Sequence, residues 1–179
     1  MKNIIKKVAI LVISSSSALA SPYIGASAID SRIKDPNFIY KNSTQDSVSF
    51  TVGWAKELKN KVSVALQTNR LTPSKNFDVI SRKTGVTMQS KSKVTNDTLL
   101  VGYRFKRLSP AVFVSNTQVH KTLSYKGDVV GKESKSGFVY GLNVSYFLTR
   151  NLTASIIEVE PSQEFYLRRS YGVGLSYLF

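Results

Sequence analysis

The chain of 179 residues has no cysteine, a single histidine and no apolar run long enough to span a bilayer as a helix. Without cysteine, neither a disulfide framework nor a thiolate metal site is possible. The apolar run Val8–Ile13 is far shorter than the ~20 residues that a spanning helix requires. The length fits one domain, and no motif in the sequence indicates a metal or another cofactor.

The beginning of the chain has the three parts of an export signal. A basic start is followed by the apolar run, a serine stretch and a small-x-small cleavage site: Lys2, Lys6 and Lys7, then Val8–Ile13, Ser14–Ser17 and Ala18–Ala20. We therefore expect residues 1–20 to be a signal peptide, and residues 21–179 to be one exported domain.

The last nine residues alternate strictly between bulky apolar and small side chains. The bulky positions are Tyr171, Val173, Leu175, Tyr177 and Phe179, and Gly172, Gly174 and Ser176 lie between them. A strand directs alternate side chains to opposite faces, so this segment has one aromatic face and one face of minimal bulk. That pattern is typical of a strand with lipid on one side and a crowded lumen on the other.

Eight segments of the exported part show full or partial two-residue alternation, which is the period of a β-strand. They are residues 23–29, 48–55, 62–69, 98–105, 111–120, 137–148, 152–160 and 168–179. The pattern does not determine which way the fifth segment faces, and the start of the seventh is ambiguous.

The connections between these segments alternate between short and long. The short ones are residues 56–61, 106–110 and 149–151, and the long polar ones are 30–47, 70–97 and 121–136. Short periplasmic turns and long external loops are typical of outer-membrane barrels. The predicted fold is all-β, an eight-stranded antiparallel up-and-down transmembrane β-barrel. A soluble lipocalin-like barrel is the alternative. Its apolar faces would have to point inward, and the interior of eight strands cannot hold so many large aromatic side chains.

The terminal Phe179 with alternating apolar residues before it resembles the signal that the outer-membrane assembly machinery reads. The whole exported part is similar to the small surface barrels of the OmpA-transmembrane, OmpX and opacity-protein kind. This resemblance implies a monomer in the outer membrane of a Gram-negative bacterium, in contact with outer-membrane lipids and lipopolysaccharide. It also implies a structural, adhesive or host-interaction role without catalysis.

The only histidine is the candidate for the alternative functions. Two barrel families of similar size modify lipid A, with a histidine as base beside a serine and a carboxylate. The sequence around His120 lacks the His-x-Ser arrangement of the deacylase type, and nothing places Ser124 near it. We expect a non-enzymatic protein. A lipid-A-modifying enzyme and a narrow porin-like channel remain as alternatives.

Charged residues within the predicted strands suggest a paired network inside the barrel. If Ile157 and Val159 face lipid, the acidic residues beside them point inward, as would two arginines on other strands. Buried charges require partners, so the lumen network is predicted to comprise Arg104, Glu158, Glu160 and Arg168.

The chain carries a formal net charge of +14, and its basic residues concentrate in the second and third predicted loops. The predicted basic loop surface comprises Lys75, Arg82, Lys83, Lys91, Lys93, Lys121, Lys126 and Lys132. Such a surface attracts lipopolysaccharide phosphates or acidic glycans. No aromatic stacking platform accompanies it, so specific nucleic-acid binding is not expected.

Deletion of Phe179 should prevent insertion into the outer membrane, because this residue ends the assembly signal. The protein should then remain in the periplasm, degraded or aggregated, which fractionation and heat-modifiable gel mobility would show. Normal surface levels of heat-modifiable protein after the deletion would contradict the assignment.

Overall fold

The computed structural model describes residues 20–33, 35–41, 44–73, 76–161 and 167–179. The predicted signal peptide lies almost entirely outside these residues and stays a prediction. The described residues contain ten strands: β1 Ser21–Ile33, β2 Phe38–Tyr40, β3 Thr44–Glu57, β4 Val62–Pro73, β5 Phe77–Ser81, β6 Thr87–Tyr103, β7 Leu108–Tyr125, β8 Asp128–Phe147, β9 Leu152–Pro161 and β10 Leu167–Leu178. Among the described residues, no helix is long and apolar enough to cross a membrane.

Eight of the strands form a closed antiparallel ring, as predicted. The order is β6-β4-β3-β1-β10-β9-β8-β7, and pairing of β6 with β7 closes it. The first and last strands pair from Tyr23 opposite Leu178 onward. At the end of the chain, the Phe179 amide donates to the Pro22 carbonyl at 3.0 Å. The short strands β2 and β5 extend the sheet beside β6.

The two ends of the barrel differ in their connections. At one end, which we call the turn end, β3 joins β4 through a 3-10 turn at Lys59–Lys61, and short links join β6 to β7 and β8 to β9. Both ends of the described barrel domain, Ser21 and Phe179, also lie at the turn end. The opposite end, which we call the loop end, carries β2 and β5.

The predicted long loops are wrong in extent. Residues 70–97 mostly belong to β4, β5 and β6, and β7 and β8 continue as a paired hairpin through most of residues 121–136. Their turn is at Lys126 and Gly127, both with positive φ, as a tight hairpin turn requires. Beyond the apolar part of the wall the outward face of a strand is polar, so the apolar-outward alternation stops although backbone pairing continues.

The outward face of the wall is apolar, in agreement with the facing predicted from alternation. Its exposed side chains include Phe50, Trp54, Val101, Tyr103, Tyr140, Leu142, Ile156, Val173, Leu175 and Tyr177. We call this surface the apolar band. In the fifth predicted segment, now β7, Val112 and Val114 face outward, while Ser115 is buried inside beside Thr98.

The described lumen is lined mainly by small side chains, and two of its large aromatics fit because glycine faces them. Tyr23 lies against Gly53, where a Cβ atom would come within 2.8 Å of the ring. Phe113 lies against Gly141, where a Cβ atom would come within 2.6 Å of the ring. Tyr23 also donates a hydrogen bond to Gln67.

An apolar layer crosses the lumen in the half nearer the loop end. It joins buried side chains from five strands with one from a sixth: Ile29, Leu71, Val94, Val119 and Val139, with Val159 packed against them. A second cluster at the loop end joins Phe38, Val79 and Leu123. These two layers fill the part of the barrel that would otherwise connect its ends.

Adjacent residues on β8 test this facing directly. Leu142→Lys should place a charge against lipid near mid-depth and cost about 2–4 kcal/mol of unfolding free energy. Asn143→Lys, on the inward face, should cost less. Urea unfolding of both variants in lipid vesicles measures the difference, and equal costs would contradict the facing.

Candidate binding surfaces

The apolar band ends toward the loop end at a level marked by charged outward residues. At this level the outward side chains change from apolar to charged. The charged residues are Asp97 on β6, Glu158 on β9, Arg169 on β10 and Asp30 on β1. Each lies next to apolar outward residues on its own strand or on a paired strand. Charged side chains are costly on the lipid face at mid-depth and cheap near its boundary. This level is therefore the boundary of the membrane-facing surface.

Beyond this level, four basic side chains cover the outer face of β4, β6 and β8. Lys91 and Lys132 flank Thr122 in one row of the sheet, and Lys93 lies one row nearer the band. Arg70 on β4 pairs with Thr95 on β6. All four are exposed. We call this surface the basic wall: Arg70, Lys91, Lys93 and Lys132.

The basic residues predicted for the loops are distributed differently from the expectation. Arg82, Lys83 and Lys126 lie in exposed turns, whereas Lys91, Lys93 and Lys132 lie on strands. Lys75 lies outside the described residues. Strand residues of the basic wall thus take the place of part of the basic loop surface that the sequence predicted.

Lys121 corrects the prediction most clearly, because it is buried inside the barrel. Its Nζ lies 2.7 Å from Asp35 Oδ2, and both side chains are almost fully buried. The ammonium also lies 3.8 Å from the centre of the Phe38 ring. Register pairs Lys121 with Glu133 on β8, whose Oε2 is buried without a hydrogen-bond partner. The ion pair between Asp35 and Lys121 anchors the segment between β1 and β3 in the mouth of the barrel.

The predicted lumen network is also corrected, because Glu158 and Glu160 face outward. They pair in register with the outward residues Leu142 and Tyr140, while Val159 packs in the lumen. Their partner is Arg169, whose Nε lies 2.9 Å from a carboxylate oxygen of each. We call Glu158, Glu160 and Arg169 the Arg169 cluster.

The two predicted arginines do not join that network. Arg104 lies at the turn end, 3.0 Å from Glu57 Oε2, with its guanidinium 4.0 Å from the centre of the Phe147 ring. The side chain of Arg168 lies outside the described residues. Sequence reasoning chose Arg168 instead of Arg169, because an error of one residue in the assigned facing exchanges the two faces of a strand. It missed Asp35 because a buried carboxylate in a loop has no sequence signal.

His120 hydrogen-bonds Ser134, not Ser124. Its Nδ1 lies 2.9 Å from Ser134 Oγ on the outer face of β7 and β8. On the other side of His120 the register partner is Lys93. A base in a hydrolytic triad is oriented by a third group, usually a carboxylate, and the described register neighbours on this face supply lysine and hydroxyl groups instead.

A cavity of about 400 Å³ occupies the lumen at the turn end. Small side chains from most of the strands leave this space, and serines dominate its wall: Ser21, Ser63, Ser109, Ser145, Ser155 and Ser176. Lys56, Glu57 and Arg104 also line it. The cavity does not extend to the apolar layer, whose residues are not among its lining.

No family model matches the chain, and no curated protein matches it in sequence. Solved structures do match. The attachment invasion locus protein Ail of Yersinia pestis, in complex with the heparin analogue sucrose octasulfate, is similar over 89% of this chain and 99% of its own, with a TM-score of 0.65 and 15% identity. The fold is that of a small outer-membrane barrel.

Two further structures share this fold at similarly low identity. Neisserial surface protein A has a TM-score of 0.59 and 13% identity, over 88% of this chain and 97% of its own. The N-terminal barrel domain of Pseudomonas aeruginosa OprF has a TM-score of 0.52 and 15% identity, over 88% and 97%. The likeness therefore extends over nearly the whole of each barrel.

Asp35→Asn should lower the free energy of unfolding by about 1.5–3 kcal/mol, because it removes the charge of one buried partner of the Lys121 ammonium. Urea unfolding followed by the fluorescence of Trp54, the only tryptophan, measures the change. The matched control is Arg104→Gln, which breaks an exposed pair and should cost at most ~1 kcal/mol. Equal effects of the two substitutions would contradict the anchoring role of Asp35.

Proposed function

We propose that this protein is a non-enzymatic surface barrel of a Gram-negative outer membrane that binds polyanionic glycans through its basic wall. The turn end faces the periplasm and the loop end faces the exterior. The protein acts as a monomer, inserted by the outer-membrane assembly machinery. Its ligands are sulfated or phosphorylated polymers, such as acidic host glycans or the core of lipopolysaccharide.

The observation that carries the proposal is the placement of the basic wall. Lys91, Lys93 and Lys132 are exposed on adjoining rows of paired strands, so their spacing is fixed by the sheet. The acidic residue Asp97 also faces outward on β6, but it lies closer to the apolar band than Lys91 and Lys93 do. A repeating polyanion can contact several cations at once, and exposed charges of one sign add up in attracting it.

The likeness to Ail supports the same ligand class. That protein, with the same fold, was crystallised with a heparin analogue that carries many sulfate groups. At 15% identity the likeness does not identify the residues that bind. The basic wall of this chain supplies its own candidates, independently of the comparison.

A channel is the less favoured function because the described lumen is packed. The apolar layer contains side chains buried to between 3% and 9% exposure, and the anchored Asp35–Lys121 pair lies beyond it. An ion would have to cross this layer without water, at a high desolvation cost. The turn-end cavity is then closed toward the exterior.

Catalysis is less favoured because of the chemistry around His120. The register neighbours of His120 on β6 and β8 are Lys93 and Ser134, and neither supplies the carboxylate that orients the base in a hydrolytic triad. Ser134 and His120 instead add hydroxyl and imidazole groups to the edge of the basic wall. They can donate hydrogen bonds to sulfate or phosphate oxygens.

The triple substitution Lys91→Gln, Lys93→Gln and Lys132→Gln should weaken binding to heparin. Three contacts at ~1 kcal/mol each correspond to a loss on the order of 100-fold in affinity. Binding of the parent protein should also weaken steeply between 0.1 M and 1 M salt, because the Debye length falls from ~10 Å to ~3 Å. Titration in detergent micelles measures both effects.

The matched control removes the same charge at the turn end, by Lys106→Gln, Arg107→Gln and Arg150→Gln. Heparin affinity should change little, because these residues lie at the opposite end of the barrel. Equal losses in the two triple variants would show a net-charge effect and exclude the basic wall as the site. Binding indifferent to salt would exclude it as well.

A further inference from the structure

Two neighbouring turns at the turn end of the barrel carry exposed basic residues. The turn from β6 to β7 contains Lys106 and Arg107, and hydrogen bonds of 2.6 and 2.8 Å between the backbones of Phe105 and Leu108 close it. The turn from β8 to β9 contains Arg150. All three basic side chains are exposed. We call Lys106, Arg107 and Arg150 the turn-end patch.

Backbone contacts hold the two turns side by side. Leu108 at the start of β7 pairs with Tyr146 near the end of β8. The Phe147 amide donates a hydrogen bond to the Arg107 carbonyl at 2.8 Å. Arg150 follows in the turn that continues from β8. The three cations therefore belong to adjacent strands and lie on one side of the barrel.

Exposed apolar side chains extend up to both turns. Phe105 and Leu108 flank the first turn directly, and they are 65% and 44% exposed. Tyr146 and Leu148 precede the second turn and are also exposed. At a membrane interface, the stems of lysine and arginine lie along apolar surface while their charged ends reach the headgroups, and tyrosine is enriched at the same depth. The turn-end patch and its apolar neighbours have this arrangement.

No described acidic side chain neutralises the turn-end patch. Glu57 is the one acidic side chain at this end among the described residues, and it lies 3.0 Å from the guanidinium of Arg104. The ion pairs between described residues include none of the three patch residues. The patch therefore has its full positive charge available for an anionic ligand.

The depth of the patch indicates a phospholipid as that ligand. Phospholipids form the periplasmic leaflet of an outer membrane, whereas lipopolysaccharide occupies the external leaflet. A phosphate group can bind arginine and lysine at once, and an acyl chain can cover the apolar side chains beside them. Phosphatidylethanolamine also carries an ammonium, which the patch repels. The headgroup of phosphatidylglycerol has no cation, so its net negative charge complements the patch.

We propose that the turn-end patch binds one phosphatidylglycerol molecule of the periplasmic leaflet. The phosphate binds Lys106, Arg107 and Arg150, and an acyl chain lies on Leu108 and the neighbouring apolar side chains. The site rests on the orientation given in the proposed function, since only the periplasmic leaflet supplies this lipid. A glycan has no acyl chain for the apolar residues, so this site and the basic wall select different ligands.

Native mass spectrometry of the purified protein with equal amounts of phosphatidylglycerol and phosphatidylethanolamine tests the site. One phosphatidylglycerol should be retained per chain, on the order of tenfold more strongly than phosphatidylethanolamine, because the two headgroups differ by one positive charge beside three cations. Equal retention of the two lipids would overturn the proposal.

The triple substitution Lys106→Gln, Arg107→Gln and Arg150→Gln should abolish the preference for phosphatidylglycerol. The matched control, Arg82→Gln with Lys83→Gln and Lys126→Gln, removes the same charge from exposed turns at the loop end and should keep the preference. Equal losses in the two triple variants would reveal a net-charge effect and overturn the site. Heat-modifiable gel mobility checks that each variant is folded.

Two further measurements test the contribution of the acyl chain. Leu108→Ser with Leu148→Ser should lower the retention of both lipids while the preference between them remains. An excess of glycerol 3-phosphate, which has the phosphate without acyl chains, should leave phosphatidylglycerol bound. Unchanged retention in the double variant, or displacement by glycerol 3-phosphate, would assign the patch to free phosphate groups and overturn the lipid site.

Heparin binding separates this site from the proposed function. The turn-end triple variant should bind heparin like the parent, and the basic-wall triple variant should retain phosphatidylglycerol like the parent. Equal lipid retention with intact heparin binding would overturn the lipid site alone. Loss of the expected heparin effect with an intact lipid preference would overturn the basic wall alone.

Discussion

Closure of the hydrogen-bonded sheet is the constraint on which the rest of the structure depends. A backbone group facing lipid has no water to pair with, so every wall strand needs a partner on both sides within the apolar band. Pairing of β1 with β10 and of β6 with β7 satisfies this requirement. Closure also fixes the facing of every side chain, because register determines which residues share a face.

Closure with eight strands leaves a narrow lumen, and the inward residues are chosen for that space. Serine and alanine line the turn end, and glycine admits Tyr23 and Phe113. Beyond them, buried branched side chains meet across the interior. Because the lumen is filled there, the chemistry available to partners on the exterior lies on the outer wall and the loop end.

The sequence was a good guide wherever lipid imposes a one-sided pattern. The facing of Val173 and Leu175 and the number of strands in the barrel are confirmed, since both rest on alternation. The short turns between the strand pairs are confirmed as well. Prediction failed where that pattern weakens. Ile156, Ile157 and Val159 offer apolar residues on both faces of β9, and only pairing with β8 places Glu158 and Glu160 outside.

The same limit explains the errors at the loop end. There, water replaces lipid outside the wall, so Lys91, Lys93 and Lys132 could lie on strands or in loops with equal sequence support. Lys121 has the same residue type and a similar neighbourhood in sequence, yet it is buried. The difference comes from Asp35, a partner 86 positions away along the chain, and no local pattern encodes such a contact.

The strands that extend beyond the apolar band have a consequence for recognition. Cations on flexible loops lose side-chain and backbone entropy when they bind a polymer, whereas cations on paired strands have already lost the backbone part during folding. Three of the four basic-wall residues lie on β6 and β8, and β7 holds both strands in register. Asp35 and Lys121 secure the neighbouring loop from inside the same three-stranded region. The buried ion pair and the exposed basic wall thus depend on one element, because the strand that directs Lys121 inward also directs His120 and Thr122 toward the outer face that carries the basic wall.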